Sequence, residues 1–105
     1  MEYAQELTNG MFDDFIKEGV VLIDFSADWC MPCLMMAPIL EEVGKKMKGK
    51  LKIGKLDVGE NQEIAQKFKV SSIPNFVLFK DGKVAEQFVG SMSSEELEER
   101  LKKHL

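Results

Sequence analysis

The stretch Val20-Val21-Leu22-Ile23-Asp24-Phe25 constrains the fold more than any other. It is apolar without alternation, so both faces of a strand built from it must be covered. Segments on either side supply the cover. Met11, Phe12, Phe15 and Ile16 recur at helical spacing, with Asp13, Asp14 and Lys17 facing elsewhere. Thr8 or Asn9 is placed to cap that helix and Gly19 to end it. After the strand, a second helix is expected from near Pro32 to about Lys48. Leu34, Ile39, Leu40, Val43 and Met47 form its inner face, and Gly49 ends it. Pro38 falls inside and removes one ladder bond.

Leu51 to Val58 reads as the next strand and Asn61 to Lys69 as a short helix with Ile64, Ala65 and Phe68 inward. Strands separated by helices run parallel. The pattern then changes. Asn75 to Lys80, the turn Asp81-Gly82 and Lys83 to Val89 form a β-hairpin, whose strands are antiparallel. Ser93 opens a last helix with Glu96 as its capping-box partner, striped by Leu97, Leu101 and Leu105. Tyr3 to Leu7 is a candidate edge strand. The fold class is therefore α/β. We expect a central mixed sheet of four to five strands with helices on both faces, built as a single domain over residues 1–105.

Both cysteines lie where the buried strand gives way to the second helix, in Trp29-Cys30-Met31-Pro32-Cys33. The first turn of a helix presents unpaired N–H groups and the positive end of the macrodipole. A thiolate there is stabilised and attacks better near neutral pH. The second cysteine is one turn on and can close a disulfide. Pro32 suits a helix start, where its missing N–H costs nothing. Taken alone, a C-x-x-C is also read as a structural disulfide, half a metal site or two unrelated thiols. The strand-to-helix setting favours a redox dithiol.

The net charge of −4, from 14 basic and 18 acidic residues, argues against a nucleic-acid binder, which needs a basic face. No apolar stretch approaches the ~20 residues of a membrane span. The N-terminus is acidic and does not read as a signal peptide. A cytoplasmic setting is expected, and there a purely structural disulfide is unusual. Zinc wants four ligands, and the chain offers two cysteines and a distant His104, so no metal is expected.

The most specific pieces are the Val-Leu-Ile-Asp-Phe strand, Ala27-Asp28-Trp29-Cys30-Met31-Pro32-Cys33, Ala37-Pro38, Lys55-Leu56-Asp57, Ile73-Pro74, Lys80-Asp81-Gly82 and Val89-Gly90. Together they make the chain resemble the thioredoxin family nearly end to end. The resemblance implies the thioredoxin fold and a small cytoplasmic protein-disulfide reductase, part of electron transport and cell redox homeostasis. It implies disulfide-containing proteins as substrates and a thioredoxin reductase as the partner that recharges it, drawing on NADPH or ferredoxin. It implies no bound cofactor beyond a redox-active Cys30–Cys33 disulfide. We expect a monomer. Four positions depart from the family pattern: Met31 stands where glycine is usual, Leu34 where lysine or arginine is common, Ser26 where an aromatic residue is common, and Asn75 where threonine is usual. They bear on redox potential and partner choice. An isomerase or oxidase of the same fold is the alternative, and a redox-switched binding module or scaffold subunit is another.

Cys30, nearer the loop, is the expected nucleophile and the more exposed thiol; Cys33, more buried, is the expected resolving thiol. Asp24 lies among apolar residues, so burial should raise its pKa and suit it to relay the proton of Cys33. Lys55 lies mid-strand, either reaching solvent or tuning Asp24. Pro74 would be trans by default, whereas the family implies a cis bond facing the cysteines, with the Ile73 backbone free to pair with an extended substrate. Gly90 either allows close approach of a partner or ends a strand. Trp29 packs beside the disulfide or is a core aromatic. Met31, Leu34, Met35 and Met36 are candidates for a soft apolar rim, with either Met35 or Met36 expected in the core instead. Met31 and Pro32 lie in the exposed dipeptide between the thiols.

Overall fold

The computed structural model describes residues 3–105. Met1 and Glu2, part of the N-terminal reading, lie outside them. Nine elements follow in the order β1 (Gln5–Glu6), α1 (Asn9–Ile16), β2 (Val20–Ser26), α2 (Met31–Lys46), β3 (Lys52–Asp57), α3 (Gln62–Lys67), β4 (Asn75–Lys80), β5 (Lys83–Val89) and α4 (Ser94–Lys102). The five strands form one sheet in the order β1-β3-β2-β4-β5. β1, β3 and β2 run parallel, and β4 and β5 are antiparallel to their neighbours. The expected mixed sheet is present, with its non-alternating apolar strand in the middle.

Two apolar layers sandwich that strand. Leu22 shares one layer with Ile53, Phe76 and Leu78, against Leu40 and Val43 of α2 and Leu97 and Leu101 of α4. Val21, Ile23 and Phe25 point the other way, onto Phe12 and Ile16 of α1 and Ala65 of α3. Side chains alternate along a strand, so Asp24 falls on the α2 side with Leu22. Each fully buried Leu, Ile or Phe contributes roughly 1.5–3 kcal/mol, so these two layers supply most of the drive to fold.

Local chemistry explains the punctuation. Asp81 and Gly82 both have positive φ (49° and 85°), as a two-residue hairpin turn requires. Asp81 also accepts from the Gly19 N–H through Oδ1 at 2.9 Å, tying the hairpin to the chain after α1. A bulge follows at Leu78/Phe79, where the register shifts by one residue. The Ser93–Glu96 capping box is formed at the start of α4, a feature worth about 1 kcal/mol.

Several local expectations are corrected. Thr8 is the N-cap of α1, but its side chain makes no capping hydrogen bond. Helix α2 stops at Lys46 rather than Lys48, and Met47 closes it by bonding back to Val43 and Lys45. Its buried stripe is Cys33, Met36, Leu40 and Val43, continued by Met47. Leu34, expected inside, is half exposed, because it lies off that stripe. Leu105 is also exposed: α4 ends at Lys102, so the chain no longer holds Leu105 in line with Leu97 and Leu101.

Candidate active site

Cys30 and Cys33 are joined by a disulfide at the N-terminus of α2. Cys30 is the N-cap, held by its own N–H bonding to the Ala27 carbonyl at 3.1 Å. Its backbone is extended there, which turns Sγ back over the first helical turn. The Cys33 N–H donates to Cys30 Sγ at 3.2 Å. Sulfur thus takes the place of the oxygen that a Ser or Asp cap would supply. Pro32 occupies the first turn, where its missing N–H would have been idle.

The two cysteines pack with Ala27, Val58 and Ile73. Three chain segments converge to make this small cluster. The Val58 N–H bonds the Ser26 carbonyl at 2.9 Å, extending β3 alongside the end of β2. The Ile73–Pro74 bond is cis, and the Ile73 carbonyl oxygen lies 3.9 Å from Cys30 Sγ. Gly90, at φ +99°, donates its N–H to the Pro74 carbonyl at 2.8 Å. No atom lies within 4 Å of where a Gly90 Cβ would sit, so its backbone angle rather than crowding demands glycine.

Exposure differs from expectation in two places. Cys30 and Cys33 are equally enclosed, 5% and 7% exposed, so position along the chain does not make Cys30 the open thiol. The asymmetry lies in hydrogen bonding: Cys30 sulfur receives the helix N–H and faces the Ile73 carbonyl. Trp29 is 79% exposed and is not a core aromatic. It precedes α2 on a turn at residues 28–29. Met31 and Met35 are each 66% exposed, whereas Met36 is buried. One of the Met35–Met36 pair thus joins the core, and Leu34 joins the open rim.

Asp24 is buried in β2, with Oδ1 enclosed and, among the described residues, without a hydrogen-bond partner. Burial pushes its carboxyl up from an ordinary 3.8 to about 7, against the smaller downward pull of Lys55. The two residues are paired in register across β2 and β3, and Lys55 is half-buried. Two neighbours have no role assigned from sequence. Ser26 is buried, and among the described residues its Oγ has no hydrogen-bond partner. The Tyr3 phenol is held above its usual range, first by burial and then by the Asp24 and Glu41 carboxylates. Sequence marks Ser26 only as a departure from the family pattern, and a lone Ser or Tyr has no spacing that would place it beside Asp24. Among the described residues, no group of three His, Cys, Asp or Glu side chains is arranged to hold a metal ion. Nor is any helix long and apolar enough to cross a membrane.

The sequence model of the thioredoxin family matches residues 3–103. The chain belongs to the thioredoxin family. It is 52% identical over 98 residues to the thioredoxin of Bacillus subtilis, covering 93% of this chain and 94% of that one. The thioredoxin of Staphylococcus saprophyticus is 49% identical over 100 residues, covering 95% and 96%. That of Staphylococcus aureus is 47% identical at the same coverage. With its Cys-x-x-Cys disulfide at a strand-to-helix junction, this thioredoxin-family chain is a thiol–disulfide oxidoreductase that reduces protein disulfides.

Proposed function

We propose that Cys30 is the attacking thiol and Cys33 the resolving thiol. The observation that carries this is the Cys33 N–H aimed at Cys30 Sγ at 3.2 Å. On reduction that donor and the positive end of α2 are positioned to stabilise a thiolate on Cys30 and none on Cys33. The Cys30 thiolate attacks one sulfur of a substrate disulfide, and the other substrate sulfur departs as a thiolate. Cys33 then loses its proton to Asp24 and attacks Cys30 Sγ. The second substrate sulfur leaves, and two electrons have passed from the dithiol to the substrate.

Asp24 suits the relay because its pKa near 7 lets it hold or release a proton at neutral pH. Lys55 tunes it: its charge favours the carboxylate and keeps the pKa from rising further. An extended substrate lies over the cysteines, touching Trp29, Met31 and Pro32 on one side and Ile73, Pro74 and Gly90 on the other. Among the described residues the Ile73 N–H and C=O have no backbone partner, which leaves them for the substrate strand. In this reading the protein is a single-domain cytoplasmic electron carrier, working as a monomer where thiols are kept reduced. A thioredoxin reductase restores the dithiol, and no metal or bound cofactor takes part.

Insulin reduction by dithiothreitol, followed as precipitation of the released chain, tests the reading. Catalytic amounts of the wild-type protein should accelerate it, and the Cys30→Ser/Cys33→Ser protein should run at the rate of dithiothreitol alone. No acceleration by the wild type would defeat the reading.

A further inference from the structure

Methionine is normally a core residue, yet two methionines stand in solvent next to the disulfide. Met31 and Met35 are each 66% exposed. Four residues apart in α2, they lie on one face of the helix. They border an apolar groove completed by Pro32, Met36, Ile39 and Met92. Among the described residues the other methionines are less available: Met36 and Met47 are buried, Met92 is partly covered, and Met11, on α1, is 36% exposed. Thioether oxidation follows exposure, so among the described residues the most oxidisable thioethers lie beside the redox centre.

We propose that Met31 and Met35 are a peroxide-oxidation site that tunes which disulfides the protein reduces, an inference that rests on the reductase reading above. A peroxide gives one oxygen to each thioether. Its O–O bond breaks, an S–O bond forms, the sulfur loses two electrons, and the second peroxide oxygen leaves as water. The reaction belongs to the disulfide state. Reduced Cys30, as a thiolate, takes the peroxide first and is returned to a disulfide by Cys33. Once the cysteines are joined, neither offers a thiolate, and the exposed thioethers are the accessible reduced sulfur. Sulfoxidation turns two flexible apolar side chains polar. The groove then loses its fit for the apolar side chains that flank a disulfide in a protein. A small disulfide, which reaches the sulfur without covering the groove, is spared.

The test treats the purified disulfide form with hydrogen peroxide, maps added oxygen by peptide mass spectrometry, and compares insulin with cystine as substrates. Met31 and Met35 should oxidise ahead of Met11 and Met36. The KM for insulin should rise about tenfold, the loss of one modest apolar contact per methionine, while the rate on cystine stays as it was. Met31→Leu/Met35→Leu keeps apolar bulk without sulfur. Whatever its starting KM, the same treatment should leave it unchanged. The proposal falls if oxidation is as fast at Met11 or Met36, if insulin KM is unmoved after full oxidation of both sites, or if the leucine protein loses affinity equally. Untreated protein that reduces neither insulin nor cystine would count against the reductase reading instead, and the order of oxidation would still decide the site.

Discussion

Cys33→Ser should accumulate a stable mixed disulfide between Cys30 and protein substrates, and Cys30→Ser should accumulate none. The prediction follows from the division of labour between the thiols. Cys33 acts only after the mixed disulfide exists, so removing it stops the reaction with substrate attached. Removing Cys30 takes away the sulfur that receives the Cys33 N–H and sits at the positive end of α2. The remaining thiol at Cys33 is equally buried and lacks that donor. Either substitution should lower turnover at least about a thousandfold, the usual result of deleting a nucleophile. Non-reducing gels of each variant mixed with insulin give the readout. Capture by the Cys30→Ser protein would reverse the assignment.

Asp24→Asn should give a more stable but slower protein. The folded-state pKa of Asp24 is about 7 against an ordinary 3.8. Between those values the folded state binds a proton that the unfolded state does not, so stability falls as pH rises from about 4 to 7. Below that window Asp24 is neutral in both states and costs nothing. Above it the buried carboxylate carries its full cost, on the order of 4 kcal/mol. The amide cannot ionise, so the variant should lose this pH dependence. Above pH 7 it should be roughly 2–4 kcal/mol more stable, the shortfall reflecting an amide with unmet partners. Denaturant melts at pH 5 and pH 8 measure both effects. Turnover should drop roughly a hundredfold near neutral pH, as expected when a general base is removed. The wild-type rise in rate through pH 7 should disappear with it. Equal stability of the two proteins at pH 8, or unchanged turnover, would count against a charged, proton-accepting Asp24.

Much of this architecture was legible because local signals agreed with one another. The run Val20–Phe25 had to be central, and it pairs on both sides. Asp81-Gly82 and Ser93–Glu96 state their turn and cap in their chemistry. Asp24 was legible for the same reason: a carboxyl among Leu22, Ile23 and Phe25 has no route to water. The misreadings concern exposure, which local sequence does not control. Leu34, Met35 and Met36 are all apolar, so the phase of α2 there is set by Leu40 and Val43, which meet the sheet. Trp29, expected beside the disulfide or in the core, is open to solvent just before α2. Distance from the loop does not rank the thiols, because the Ile73 segment, distant in sequence, packs on Cys30 and leaves it as enclosed as Cys33. The site therefore depends on three chain segments meeting, and only one of them contains the cysteines.

The pH dependence of alkylation of the reduced protein tests the central claim most directly. With limiting iodoacetamide, Cys30 should be modified first, with a rate that follows a pKa clearly below the ~8.5 of a free thiol. Cys33 should react later and only at higher pH. Alkylation of both thiols together, along one curve with an ordinary thiol pKa, would mean that the start of α2 does not activate Cys30.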